Sequence, residues 1–152
     1  MRMTYQRIRD ILDDIRRAHE EAATCCATAA DTPDERLRLL AGLFREGEER
    51  LATRLKRAEE DSQAETLDTW VQFVPIGGVD KALHGLRAAG EEGPDRTLEN
   101  CLALHEQIAK TLRHLAEIVP AEEARDMLQH LANMEEQAIR DLSLADTMRE
   151  DG

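Results

Sequence analysis

Pro33-Asp34-Glu35-Arg36-Leu37-Arg38 and Pro120-Ala121-Glu122-Glu123-Ala124-Arg125 open two stretches that align without a gap, at an offset of 87 residues. Arg38 meets Arg125, Phe44 meets Leu131, and Leu55 meets Leu142. Within them the acidic pair Glu48-Glu49 meets Glu135-Glu136. A shift of 86 lays the preceding segments on each other, with Leu98 on Leu12, Cys101 on Ile15, His105 on His19 and Ile108 on Ala22. The chain reads as a duplicated helical hairpin in a single domain over 1–152. Hairpin 1 covers 3–65, a crossover 66–95, and hairpin 2 96–148.

Working outward, Tyr5, Ile8, Leu12, Ile15, Ala22, Cys26 and Ala29 keep a 3–4 spacing whose one gap is filled by His19. That spacing predicts a helix of about 25 residues with a histidine on its buried seam. Thr32 reads as the next N-cap, with Pro33 in the first turn and Glu35 closing a capping box. So short a connection makes the two helices antiparallel neighbours. The second helix runs from Pro33 to about Glu65, with seam Leu37, Leu40 or Ala41, Phe44, Glu48, Leu51, Leu55 and Ala58. A third begins near Asp95 or Thr97, with seam Leu98, Cys101, His105, Ile108, Leu112, Leu115 and Val119. The fourth starts at Pro120, buries Met127 or Leu128, Leu131, Glu135, Ala138, Leu142 and Ala145, and frays from Met148. In the crossover, Trp70 and Phe73 read as packing against the helices, the alternative being an exposed patch for a partner. Val79 to Ala89 reads as a short helix.

The aromatic residues are Tyr5, Phe44, Trp70 and Phe73, so the interior is built from Leu, Ile, Ala, Val and Met, the filling of an all-α protein. A formal charge of -12 argues against nucleic acid and anionic membrane surfaces as partners. There is no run of about 18 apolar residues and no signal-peptide core after Met1, so the expected location is cytoplasmic. Three cysteines, two of them adjacent at Cys25 and Cys26, make no disulfide framework, and reduced thiols are expected.

Two short antiparallel hairpins joined by a long crossover give a four-helix bundle with one overhand connection. With the repeated Glu48-Glu49 and Glu135-Glu136, the chain resembles the ferritin-like superfamily, most closely its small rubrerythrin-related members, over nearly its whole length. The resemblance implies a bundle core in which four carboxylates and two histidines hold two metal ions, each histidine standing three residues after a glutamate. Glu48 and Glu135 match those glutamates. Leu51 and Ala138 stand where the histidines belong, and His19 and His105 occupy the seam where the family presents carboxylates. Glu20, Glu21 and Glu106 fall off the seam. The dimetal set is incomplete, ferroxidase or peroxidase activity is not carried over, and the chain is not read as an enzyme.

What remains is symmetric. His19 lies 14 residues before Pro33 and Glu48 lies 15 after it, while His105 and Glu135 each lie 15 from Pro120. At about 1.5 Å per residue, each histidine falls within about one turn of the level of its glutamate. Two readings follow. In the preferred one, His19 pairs with Glu48 and His105 with Glu135 as buried couples. The protein is then a non-catalytic structural or interaction module, expected as a homodimer that buries the crossover from Trp70 through Phe73 to Ile76 or an outer helix face. In the other, His19, Glu48, His105 and Glu135 hold one Fe, Mn or Zn ion in a mixed nitrogen and oxygen site, in an oxidoreductase or a metal buffer. A softer Zn or Cu site using Cys26 and Cys101, and a small-molecule carrier, are weaker variants. His84, His114 and His130 have no partner legible in the sequence.

Overall fold

In the computed structural model, which describes residues 4–73 and 78–151, the second helix begins at Glu35 and its N-cap is Asp34 rather than Thr32. The Asp34 carboxylate accepts the backbone N–H groups of Arg36 at 3.0 Å and Leu37 at 3.2 Å, satisfying two donors that a helix N-terminus leaves unpaired. Thr32 supports this cap from outside, its hydroxyl accepting the Asp34 N–H at 3.3 Å. The order of elements is β1 (Thr4–Arg7), α1 (Ile8–Ala29), α2 (Glu35–Asp61), α3 (Ala64–Leu67), β2 (Trp70–Phe73), α4 (Val79–Ala89), α5 (Pro94–Ile118) and α6 (Glu122–Asp151). Among the described residues the chain is all-α apart from one two-stranded ribbon, and no helix is long and apolar enough to cross a membrane.

The four long helices pack as a closed ring, α1 on α2, α2 on α6, α6 on α5 and α5 on α1. Leu12, Phe44, Leu55, Leu104, Ile108, Leu112 and Leu131 fill the space between them and are essentially inaccessible to solvent. The helix α5 begins where Gly93, at φ 116°, turns the chain through a conformation that side chains oppose, and Pro94 then takes the first turn. The second helix of the same hairpin, α6, starts at Glu122, two residues after the expected Pro120, and runs on to Asp151 instead of fraying at Met148. No glycine or proline interrupts it over that span.

The chain's beginning departs most from expectation. Tyr5 is not the first seam residue of a helix but lies in β1, which pairs antiparallel with β2 in the register Tyr5 with Gln72 and Arg7 with Trp70. Strand alternation splits the two aromatics that the sequence groups together. Phe73 turns inward with Val71, whereas Trp70 is 53% exposed and Tyr5 63% exposed. Their rings stack at 4.9 Å, with the Arg7 guanidinium 5.8 Å from the Trp70 ring. The ribbon is tied to the helices by the Ile8 N–H donating to the Thr69 carbonyl at 3.0 Å and by Arg9 paired with Asp68 at 3.2 Å. The second helix stops at Asp61, short of Glu65, and a single turn at α3 leads into β2. Met3, at the expected start of hairpin 1, and Ile76, in the expected interface, lie outside the described residues, as does Gly152.

The split gives a prediction for urea unfolding. Phe73→Ala removes a buried ring and is expected to cost about 3–5 kcal/mol, whereas Trp70→Ala loses mainly an exposed stacking contact and is expected to cost about 1 kcal/mol. Equal losses at the two positions would contradict the inward and outward assignment.

Candidate metal centre

Each long helix delivers one polar side chain to the same level of the core: His19 from α1, Glu48 from α2, His105 from α5 and Glu135 from α6. Histidine 19 and its three partners are 2% exposed or less. The preceding and following seam residues, including Ile15, Ala22, Phe44, Leu51, Cys101, Ile108 and Leu131, are apolar or weakly polar and buried, so the site is enclosed above and below by the core. The positions follow from near-equal residue counts on either side of each tight turn, 14 from His19 to Pro33 and 15 on to Glu48, and 15 from Pro120 to each of His105 and Glu135, which bring 19 level with 48 and 105 level with 135.

The four groups close into one ring and do not form two separate couples. His19 Nδ1 lies 2.6 Å from Glu48 Oε2, and its Nε2 lies 2.5 Å from Glu135 Oε1. His105 Nδ1 lies 3.1 Å from Glu135 Oε2, and its Nε2 contacts Glu48 Oε1. The crossed contacts, His19 to Glu135 and His105 to Glu48, tie hairpin 1 to hairpin 2 and correct the expectation of isolated pairs. Four ring nitrogens thus face four different carboxylate oxygens. With both imidazoles protonated, every N–H donates to its own oxygen, and two positive and two negative charges cancel. The imidazole rings sit 5.1 Å apart, tilted by 57°.

The electrostatics favour that protonation state. Burial alone would lower the pKa of His19, but the charges of Glu135 and Glu48 and their hydrogen bonds outweigh it and push the value up to about 10. For His105, burial and the neighbouring His19 oppose the same two carboxylates, which still push it up to about 9. Burial would raise Glu135, yet His19 and His105 hold it down to about 2. Glu48 is likewise lowered against the effect of its burial, chiefly by His105 and His19.

The donor set suits a metal ion as well. Ligand atoms of His19, Glu48 and His105 all lie within 4.8 Å of one another, and Glu135 faces both imidazoles from the remaining helix. Two nitrogen and several oxygen donors are the mixture that Zn, Mn and Fe accept. The second acids of the two repeated pairs play no part in it. Glu136 is held by the Arg113 guanidinium through two contacts of 2.9 Å, and Glu49 is exposed beside Arg45. Glu20 and Glu106 are exposed, and Glu21 pairs with Arg87 at 2.7 Å, so none of the three substitutes for a ligand. His84 and His130 are exposed and His114 half-buried, away from the ring.

One feature went unread in the sequence. Glu59, partly buried and hydrogen-bonded to Asp13 across α1 and α2, is pushed up to about 7 by burial and by that neighbouring carboxylate. Its sequence signal was only a half-buried position one turn after Leu55, in a row of charged residues that reads as a solvent face.

Comparison of the chain with protein-family models, with curated proteins and with solved structures finds no match. The chemistry of the ring therefore stands on its geometry.

The pH dependence of folding follows from the signs of the shifts. Both histidines are raised above their ordinary 6.5, so their contribution is complete below that value and is lost as pH rises through 9 and 10. Glu135 is depressed from 4.5, so its contribution is complete above that value and is lost as pH falls toward 2. In a Glu59→Gln background, which removes the separate loss between 4.5 and 7, the metal-free protein is expected to be most stable between about pH 5 and 6.5. A profile that keeps rising to pH 9 would contradict the charged ring. At pH 6, Glu135→Ala strands imidazolium charge in the core and is expected to cost about 3–5 kcal/mol by urea unfolding.

Proposed function

We propose that this protein is a ferritin-like helical module whose ring of His19, Glu48, His105 and Glu135 binds one divalent first-row transition-metal ion. The observation that carries this reading is the meeting of four ligand-type side chains, one from each long helix, at a single buried level. A buried ionic layer holds a fold no better than well-packed apolar side chains of the same volume. Its presence in the core therefore calls for something the four groups can hold. The crossed contacts turn two pairs into one four-residue site, and this moves the balance from the paired core toward metal.

The ferritin-like assignment is supported by the packing ring of α1, α2, α6 and α5, with a crossover between two tight hairpins. An ancestral duplication is supported by the like placement of His19 with His105 and of Glu48 with Glu135. Leu51 is buried and apolar and Ala138 carries no donor, so the donor set suits one ion and not two. When bound, such an ion supplies a fixed positive charge in place of the two imidazolium protons. Glu48 and Glu135 remain ionised as oxygen donors, and His19 and His105 serve as neutral nitrogen donors, so binding weakens as the pH falls. The proposal assigns binding and no reaction.

A second reading is favoured by the absence of any unpaired polar atom in the ring: the four residues form a structural layer that fixes helix register without metal. The two are separated by elemental analysis of protein expressed with supplemented Zn, Mn or Fe. One ion per chain is expected, lost in a Glu48→Gln, Glu135→Gln double variant whose helical circular dichroism is retained. Metal-free wild-type protein after supplementation at pH 7.5 would remove the metal proposal and leave the structural layer.

A further inference from the structure

Cys26 of α1 and Cys101 of α5 are both buried, and their Sγ atoms lie 3.3 Å apart with no bond between them. Hydrophobic packing accounts for one buried cysteine at a time, since a lone thiol behaves as a small apolar group. Here two thiols touch each other across the boundary between the hairpins, 75 positions apart in the chain. A disulfide spans about 2.05 Å between sulfurs, so the pair is about 1.3 Å from bonding distance. A surface depression of about 350 Å³ lies over this end of the α1–α5 seam, lined by Cys25, Thr28, Ala29, Gly93, Pro94 and Thr97. Thr97 is one helical turn from Cys101, and Cys25 adjoins Cys26, so the depression borders the two helix segments that carry the sulfurs, although both sulfurs are buried and neither lines it.

We propose that Cys26 and Cys101 form an oxidisable dithiol that closes to a disulfide between the two hairpins when the protein meets a peroxide. One thiol sulfur attacks a peroxide oxygen, the O–O bond breaks, and the proton released from that thiol passes to the leaving hydroxide, so that a sulfenic acid and water are produced. The second sulfur then attacks the sulfenic sulfur, the S–O bond breaks, and a second water leaves. The sum is two thiols and one hydrogen peroxide giving one disulfide and two waters. Reduction by an external dithiol reverses it. Its contact with Cys26 holds the Cys101 thiol up, as does burial, so the step is slow and selective for a small, uncharged oxidant. The bridge joins the same two helices that carry His19 and His105, and it closes the packing ring covalently at one point.

The experiment treats the reduced full-length protein with hydrogen peroxide under native conditions, then unfolds it in urea, alkylates and weighs it. Alkylation of Cys25 alone is expected, with the chain lighter by the hydrogens of one disulfide and no covalent dimer. Because Cys25 and Cys26 share a peptide, the assignment is made in Cys25→Ala protein, where no alkylated thiol and a link from Cys26 to Cys101 are expected. The urea midpoint should rise on oxidation and return on treatment with dithiothreitol. Three alkylated thiols after prolonged exposure of the folded protein would overturn the proposal. So would a link through Cys25, or sulfinic acid at Cys26 or Cys101 in place of a bridge.

Discussion

Two carboxylates placed in the centre of a helical core must be neutralised there, because an unpaired buried charge costs several kcal/mol, a sizeable part of the stability of a domain this size. Glu48 and Glu135 meet that demand only if His19 and His105 arrive at the same level, on the inward faces of two other helices. The ring therefore couples the rotation and axial position of all four long helices to one another. Any slip by one residue along a helix turns its ring member about 100° away from the core and breaks two contacts at once. The Asp34 cap, the Gly93 turn and the tight connection before Glu122 matter to the site for this reason, since they set where each helix begins.

Around that centre the structure uses weaker ties. The β1–β2 ribbon, anchored through Ile8 to Thr69 and Arg9 to Asp68, ties the start of α1 to the crossover. The helix α4 is held by Arg87 on Glu21 and by the Gly78 N–H on the Gln107 side chain at 2.9 Å. These are exposed or half-exposed contacts, each contributing tenths of a kcal/mol to about one. They fix the crossover without competing with the ring for its partners. The repeated acidic pairs divide in the same way, the first glutamate to the core and the second to a surface arginine.

The level of the site was legible in the sequence because helical rise is constant: counting residues from Pro33 and Pro120 places each histidine beside its glutamate. The seam positions of Leu12, Phe44, Leu112 and Leu131 were legible for the same reason, since a 3.6-residue period leaves a continuous apolar row. Which glutamate each imidazole would face was not. That depends on how the helices rotate against each other, a property of side-chain packing across two hairpins, and hence the contacts of His19 with Glu135 and of His105 with Glu48 appear only in three dimensions. The strand at Tyr5 was hidden because Tyr5 and Ile8 fit a helical spacing by chance, while the pairing that makes the strand comes from residues 70–73, far along the chain. The cap read at Thr32 lies at Asp34, whose carboxylate takes the first backbone N–H groups of the helix while Thr32 supports it from outside.

Before any ion binds, the ring holds together through two protonated imidazoles whose four N–H groups are all engaged. Nitrogen-15 NMR of histidine-labelled, metal-free protein at pH 7 observes this directly. His19 and His105 are predicted to show the imidazolium pattern, with four protonated ring nitrogens protected from exchange with water. A neutral tautomer at either residue, with one bare ring nitrogen, would contradict it.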